Sequence, residues 1–179
     1  MKLEKLLKER NADLVNAWFK SLIETYPANT PAFLKNQKDP FANPVGNAFR
    51  QGFKEIIDHI VEEVDHQSVV SALDSIVRIR AVQGFLPSQA VSFVFSIKKI
   101  IRQIFSKEIR ENHLEDELTT IEMRIDELSL IAFNIYMECR EKIFQLKANE
   151  VRDRTFKAFE RAGLVCDLEQ IGSDLTEHH

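Results

Sequence analysis

Apolar positions recur every three or four residues along most of the chain, and no stretch alternates in the two-residue rhythm of a strand. Leu3, Leu7, Leu14, Ala17, Trp18 and Leu22 predict one amphipathic helix over 3–25, ended by Tyr26-Pro27. Phe49, Phe53, Ile56, Ile57, Ile60 and Val64 predict a second from Pro44 to about His66, with Asn43-Pro44 as cap and first turn. Ser68 is expected to cap a short helix ending near Gln83. Gly84 suits the left-handed residue that closes a helix, and Pro87 suits the first turn of the next. That next helix is the most apolar in the chain. Val91, Phe93, Val94, Phe95 and Ile97 cannot share one narrow stripe, so burial on most sides is expected there.

The last helix is predicted from about His113 to Arg161. Leu114, Leu118, Ile121, Ile125, Leu128, Ala132, Ile135 and Cys139 step four and three residues in turn, the spacing of a heptad seam. Met123, Leu130, Met137, Phe144 and Val151 form a second stripe on the far side, at seven-residue intervals. One face serves the chain's own core. The other needs a further cover, and Met123, Leu130, Met137 and Phe144 are the expected homodimer interface. The competing cover is the helix from Met1 to Thr25, folded back on the same face. The whole pattern predicts an all-α, globin-like bundle of about five or six helices with a long C-terminal helix. A single domain is expected over 1–162, with a polar tail over 163–179.

Composition narrows the class. The chain's 179 residues suffice for one domain with a real core. With 44% hydrophobic and 29% charged residues it reads as soluble and globular, and the most apolar run is too short and interrupted to insert in a membrane. A net charge of −4 argues against nucleic acid as a partner. There are 13 Phe against only 5 Gly and 5 Pro, and four of those Pro (27, 31, 40 and 44) fall in one loop segment, which predicts long helices and a Phe-rich core. Cys139 and Cys166 have no disulfide spacing, which points to the reducing cytoplasm. The charged start MKLEKLLKER is no signal peptide. The terminal His pair could be the remnant of a purification tag and enters no metal argument.

Candidate chemistry is sparse. Arg80 falls between Val69 and Leu73 on a helical wheel, so its charge must find a partner inside the fold. Arg78 instead follows Asp74 by one turn, as a surface pair does. Arg80, Gln83 and the free N–H groups at Ser88 and Gln89 could form an anion pocket at a helix start. The alternative is a structural ion pair, or bonds to carbonyls of the 39–46 loop. Glu63 and His66 carry half of a di-iron carboxylate pattern, and His59 with Glu63 resembles haemerythrin-type ligand spacing, neither with a second half. A haem protein would need an inward-facing His, and His59, His66 and His113 all sit at polar positions or near a helix start. Cys139 reads as a small buried hydrophobe, and Cys166 has no base beside it. Neither a catalytic constellation nor a cofactor is expected.

Trp18, Tyr26-Pro27, DPFANPVG at 39–46, VRIRAVQ at 77–83 and PSQA at 87–90 resemble the RsbRD N-terminal domain family of bacterial sensory domains, over roughly residues 3–150. These precede the output region of stressosome co-antagonists and some sensor kinases. The resemblance implies a helical fold like a globin without haem, a homodimer, and a long C-terminal helix that carries a signal onward. No STAS domain or kinase follows in this sequence, which leads us to expect a stand-alone sensory or regulatory module with a protein partner in signal transduction. A small ligand-, haem- or iron-binding helical protein is the alternative.

Overall fold

The computed structural model describes residues 2–27, 43–62 and 65–164. Seven helices and no strand occur among them: α1 (Leu3–Glu9), α2 (Asn11–Ile23), α3 (Pro44–Glu62), α4 (His66–Val82), α5 (Pro87–Ile104), α6 (Ser106–Glu111) and α7 (Glu115–Arg161). The fold is thus an all-α bundle with a long C-terminal helix, as the periodicity predicts, with more helices than the five or six expected.

The additional helices come from breaks that apolar spacing does not mark. The expected helix over 3–25 is interrupted at Arg10, whose φ of −113° and ψ of 26° leave the helical region. Arg10 is held there from outside its own helix. Its guanidinium reaches the Ile104 carbonyl at 3.5 Å and lies 5.2 Å from the centre of the Phe105 ring. The start of α4 also differs from expectation: the helix begins at His66, after Asp65, and the Ser68 N–H donates to the Asp65 carbonyl instead of Ser68 acting as cap. Asn43 does cap α3, its Oδ1 accepting from the Gly46 N–H at 2.8 Å. Gly84 closes α4 at φ 82°, and Pro87 opens α5.

The chain divides into two units, Met1–Arg140 and Glu141–His179. The core of the first is aromatic. Trp18 of α2 stacks on Phe53 of α3, with centroids 4.2 Å apart, and its indole N–H donates to the Phe93 carbonyl of α5 at 2.7 Å. Phe93 approaches both rings, at 6.0 and 5.9 Å. Helix α3 comes close to α4 at Gly52, where a Cβ would stand 2.9 Å from Ile76 Cδ1. The heptad seam of α7 is buried from Leu114 to Cys139. Two ion pairs set α7 antiparallel to α5: Lys98 with Asp126 at 2.6 Å and Arg102 with Glu122 at 2.6 Å. Phe95 corrects the expectation of burial on most sides of α5. It is 50% exposed, because it shares the outer face with Ser92, Lys99 and Arg102.

In the second unit, no residue from Glu141 to Leu164 is buried. Phe144, Leu146, Val151, Phe156 and Phe159 all stand exposed.

Candidate functional site

The end of α2, the end of α4 and the start of α5 meet at one corner. The end of α2 supplies Thr25, Tyr26 and Pro27. The end of α4 and the turn after it supply Gln83, Gly84 and Phe85, and α5 supplies Gln89. These seven residues line an open cavity of about 640 Å³. The left-handed Gly84 reverses the chain there, and this turn brings Phe85 back over the helix it has just left.

Arg80 lies in the wall of this corner with no exposed surface. Its Nη2 donates to Thr25 Oγ1 at 3.0 Å and to the Gln89 carbonyl at 2.9 Å. The guanidinium carbon is 4.1 Å from the centre of the Phe85 ring and 5.2 Å from that of Tyr26, close enough for both rings to stabilise the cation. Arg80 Nε and Nη1 are buried without a hydrogen-bond partner. Its partners among the described residues are a hydroxyl and a carbonyl, and neither carries a charge; residues 39–42 of the loop considered from sequence lie outside the described residues. Burial accordingly draws its pKa below the ordinary guanidinium range, with Tyr26 acting in the opposite sense. Tyr26 is pushed above the ordinary phenol range by its own burial, with Arg80 opposing. Its hydroxyl donates to Gln83 Oε1 at 2.9 Å, which ties α2 to α4.

Of the residues singled out from sequence, Arg80, Gln83 and Gln89 come together at this corner. Gln89 Oε1 also accepts from the Leu86 N–H at 3.1 Å. Ser88 is exposed and is not among the residues lining the cavity. Thr25, Tyr26 and Phe85 were missed as site residues. Their signal was present only as the Tyr26-Pro27 pair that ends a helix, because nothing local ties residue 26 to residue 80. The corner is also joined to α7: the Tyr136 hydroxyl donates to the Phe85 carbonyl at 2.7 Å, and Arg140 Nη1 to the Ala81 carbonyl at 3.4 Å.

The far stripe of α7 is open to solvent. Met123, Leu130 and Met137 in the first unit are 62%, 68% and 48% exposed, and Phe144 in the second is 73% exposed. The helices over 3–23 therefore do not cover Met123, Leu130 and Met137. Phe133 is exposed beside them. The α5–α7 register also puts exposed Phe95, one turn from Lys98, level with Ser129 and Leu130.

The histidines do not converge. His59 is half-buried and His66 and His113 are exposed, while Glu63 lies outside the described residues, as do Cys166 and the tail from 165. Among the described residues no three His, Cys, Asp or Glu side chains come together to hold a metal ion. Cys139 is a free, buried thiol. No helix among them is long and apolar enough to cross a membrane.

Against known families, residues 12–151 match the RsbT co-antagonist protein rsbRD N-terminal domain. The chain belongs to this family. No curated protein and no solved structure matches it significantly. Three of the segments of this RsbRD N-terminal domain that carry the family likeness are distant in sequence but meet in space. Tyr26-Pro27, the end of VRIRAVQ and the Gln of PSQA all line the cavity beside Arg80.

Proposed function

We propose that the protein is a non-catalytic sensory or regulatory module of bacterial signal transduction, dimeric through α7 and working in the cytoplasm with a protein partner. The observation that carries this reading is the uncovered stripe of Met123, Leu130 and Met137, opposite a seam that already packs α7 on its own core. Soluble monomers rarely keep so continuous an apolar patch in water. A two-fold pairing sets the same stripe of each chain against the other and buries both. Phe95 and Phe133 extend the patch sideways. The second unit supports the same reading independently. Its part of α7, Glu141 to Arg161, has no buried residue, and helical stability in proteins comes mostly from packing an apolar face. Paired helices of this kind can pass a rotation or shift to whatever they contact.

The test is Leu130→Glu combined with Met137→Glu, followed by sedimentation and circular dichroism. A dimeric wild type that becomes a folded monomer supports the interface. A wild type that is already monomeric, or a variant that unfolds outright, overturns it.

A second reading, ligand binding, is favoured by one specific observation: a buried cation with two unused N–H donors beside an open cavity.

A further inference from the structure

Arg80 presents an unusual balance of interactions. Its guanidinium has no exposed surface, two of its nitrogens lack partners, and no carboxylate contacts it among the described residues. A buried cation is ordinarily paired with an anion, because desolvation costs more than neutral partners return. Here rings take the place of a counter-ion. Phe85 caps the guanidinium at 4.1 Å, and Tyr26 meets Phe85 edge-on, with centroids 5.0 Å apart. The groups around the guanidinium (Thr25, Tyr26, Phe85 and Gln89) all line the cavity. Phe85 thus lies against the Arg80 guanidinium and also lines the open cavity, and it is only half-buried.

We propose that this corner is the receptor for one small aromatic monocarboxylate, one oxygen of which accepts from Arg80 Nε or Nη1 when the Phe85 ring swings aside. Each of these nitrogens can give a carboxylate oxygen one charge-assisted hydrogen bond, while Nη2 keeps its bonds to Thr25 and Gln89. A single cation, with no second basic group among the described residues that line the cavity, suits one negative charge. The ligand must also replace the aromatic surface that Phe85 withdraws, and its ring would lie against Tyr26. The inference deepens the regulatory reading and rests on it for its purpose. The Phe85 carbonyl holds the Tyr136 hydroxyl of α7, so a displaced Phe85 acts on the helix that bears the proposed interface.

The experiment follows the Arg80 Nε–H resonance of the whole protein by NMR while benzoate, acetate or inorganic phosphate is titrated. Benzoate should shift it saturably, and at lower concentration than either control. Phe85→Ala removes the competing ring and should tighten benzoate binding about tenfold, since the open form no longer has to be selected from a capped one. Arg80→Lys keeps the charge but removes both unpartnered guanidinium nitrogens, and should abolish saturable binding. The proposal is overturned by three results: no saturable shift in both wild type and Phe85→Ala, a response to acetate or phosphate equal to that to benzoate, or undiminished binding by Arg80→Lys. If Arg80→Lys fails to fold, the wild-type and Phe85→Ala titrations decide alone. Sedimentation of the same samples reads the interface separately. A monomer that binds benzoate keeps this site and removes the dimer, and a dimer that ignores benzoate does the reverse.

Discussion

The Arg80 guanidinium carbon lies 4.1 Å from the centre of the Phe85 ring, and the same arginine spans from Thr25 to Gln89. One side chain therefore pins the end of α2 and the start of α5 to α4. It does so without a charged partner, and that changes what its removal should do.

Arg80→Ala leaves no carboxylate stranded. It costs a cavity and two hydrogen bonds, about 2–4 kcal/mol in urea unfolding. Arg80→Met fills most of that volume without a charge to desolvate, and should be nearly neutral or stabilising by about 1 kcal/mol. Arg78→Ala breaks an exposed pair with Asp74, at 3.0 and 2.6 Å, and should cost about 0.5 kcal/mol or less. A loss for Arg80→Met as large as for Arg80→Ala would mean that the guanidinium itself, not its volume, stabilises the fold.

Stability should fall in alkali partly through Tyr26. Burial raises its pKa in the fold above the unfolded value near 10, so the folded state favours the neutral phenol. That contribution is fully present below pH 10 and is lost as pH rises through the folded value. Tyr26→Phe cannot ionise and should show a shallower decline above pH 10. Parallel declines in urea melts of the two proteins would contradict the assignment.

Gly84 is the turn's conformational requirement. Its φ of 82° is left-handed, and a Cβ there would meet nothing within 4 Å, so Gly84→Ala isolates backbone strain from packing. The expected cost is about 1 kcal/mol in urea unfolding of the core. Gly163→Ala has a similar φ of 69° but follows a helix that buries nothing, and should leave core unfolding unchanged. Equal effects on the core transition would show that the two turns are coupled.

Trp18→Phe keeps an aromatic ring against Phe53 and loses the bond to the Phe93 carbonyl. That oxygen still accepts from Ser96 Oγ at 2.6 Å, so no buried acceptor is orphaned. The loss should be about 1–2 kcal/mol, against about 3–5 kcal/mol for Trp18→Ala. A Trp18→Phe loss as large as that of Trp18→Ala would show that the indole N–H, not the ring, holds α2 to α5.

The sequence by itself determined the helical class, the buried seam from Leu114 to Cys139 and the existence of a second apolar stripe from Met123 to Phe144, whose exposure only the structure decided. Each is a matter of period along one helix, and a helix presents residues three and four apart on one face whatever surrounds it. It also determined that Arg80 points inward, because its neighbours on the wheel are apolar. The break at Arg10, the exposed side of Phe95 and the partners of Arg80 were decided only by the tertiary structure. Arg10 leaves the helix where its side chain meets Ile104 and Phe105, more than ninety residues away. Phe95 is exposed because it lies on the outer face of α5 with Ser92, Lys99 and Arg102, outside the faces that the core covers. Thr25, Tyr26, Phe85 and Gln89 surround one guanidinium because three helix ends converge there. Such contacts depend on the relative placement of elements, and no local spacing records that placement.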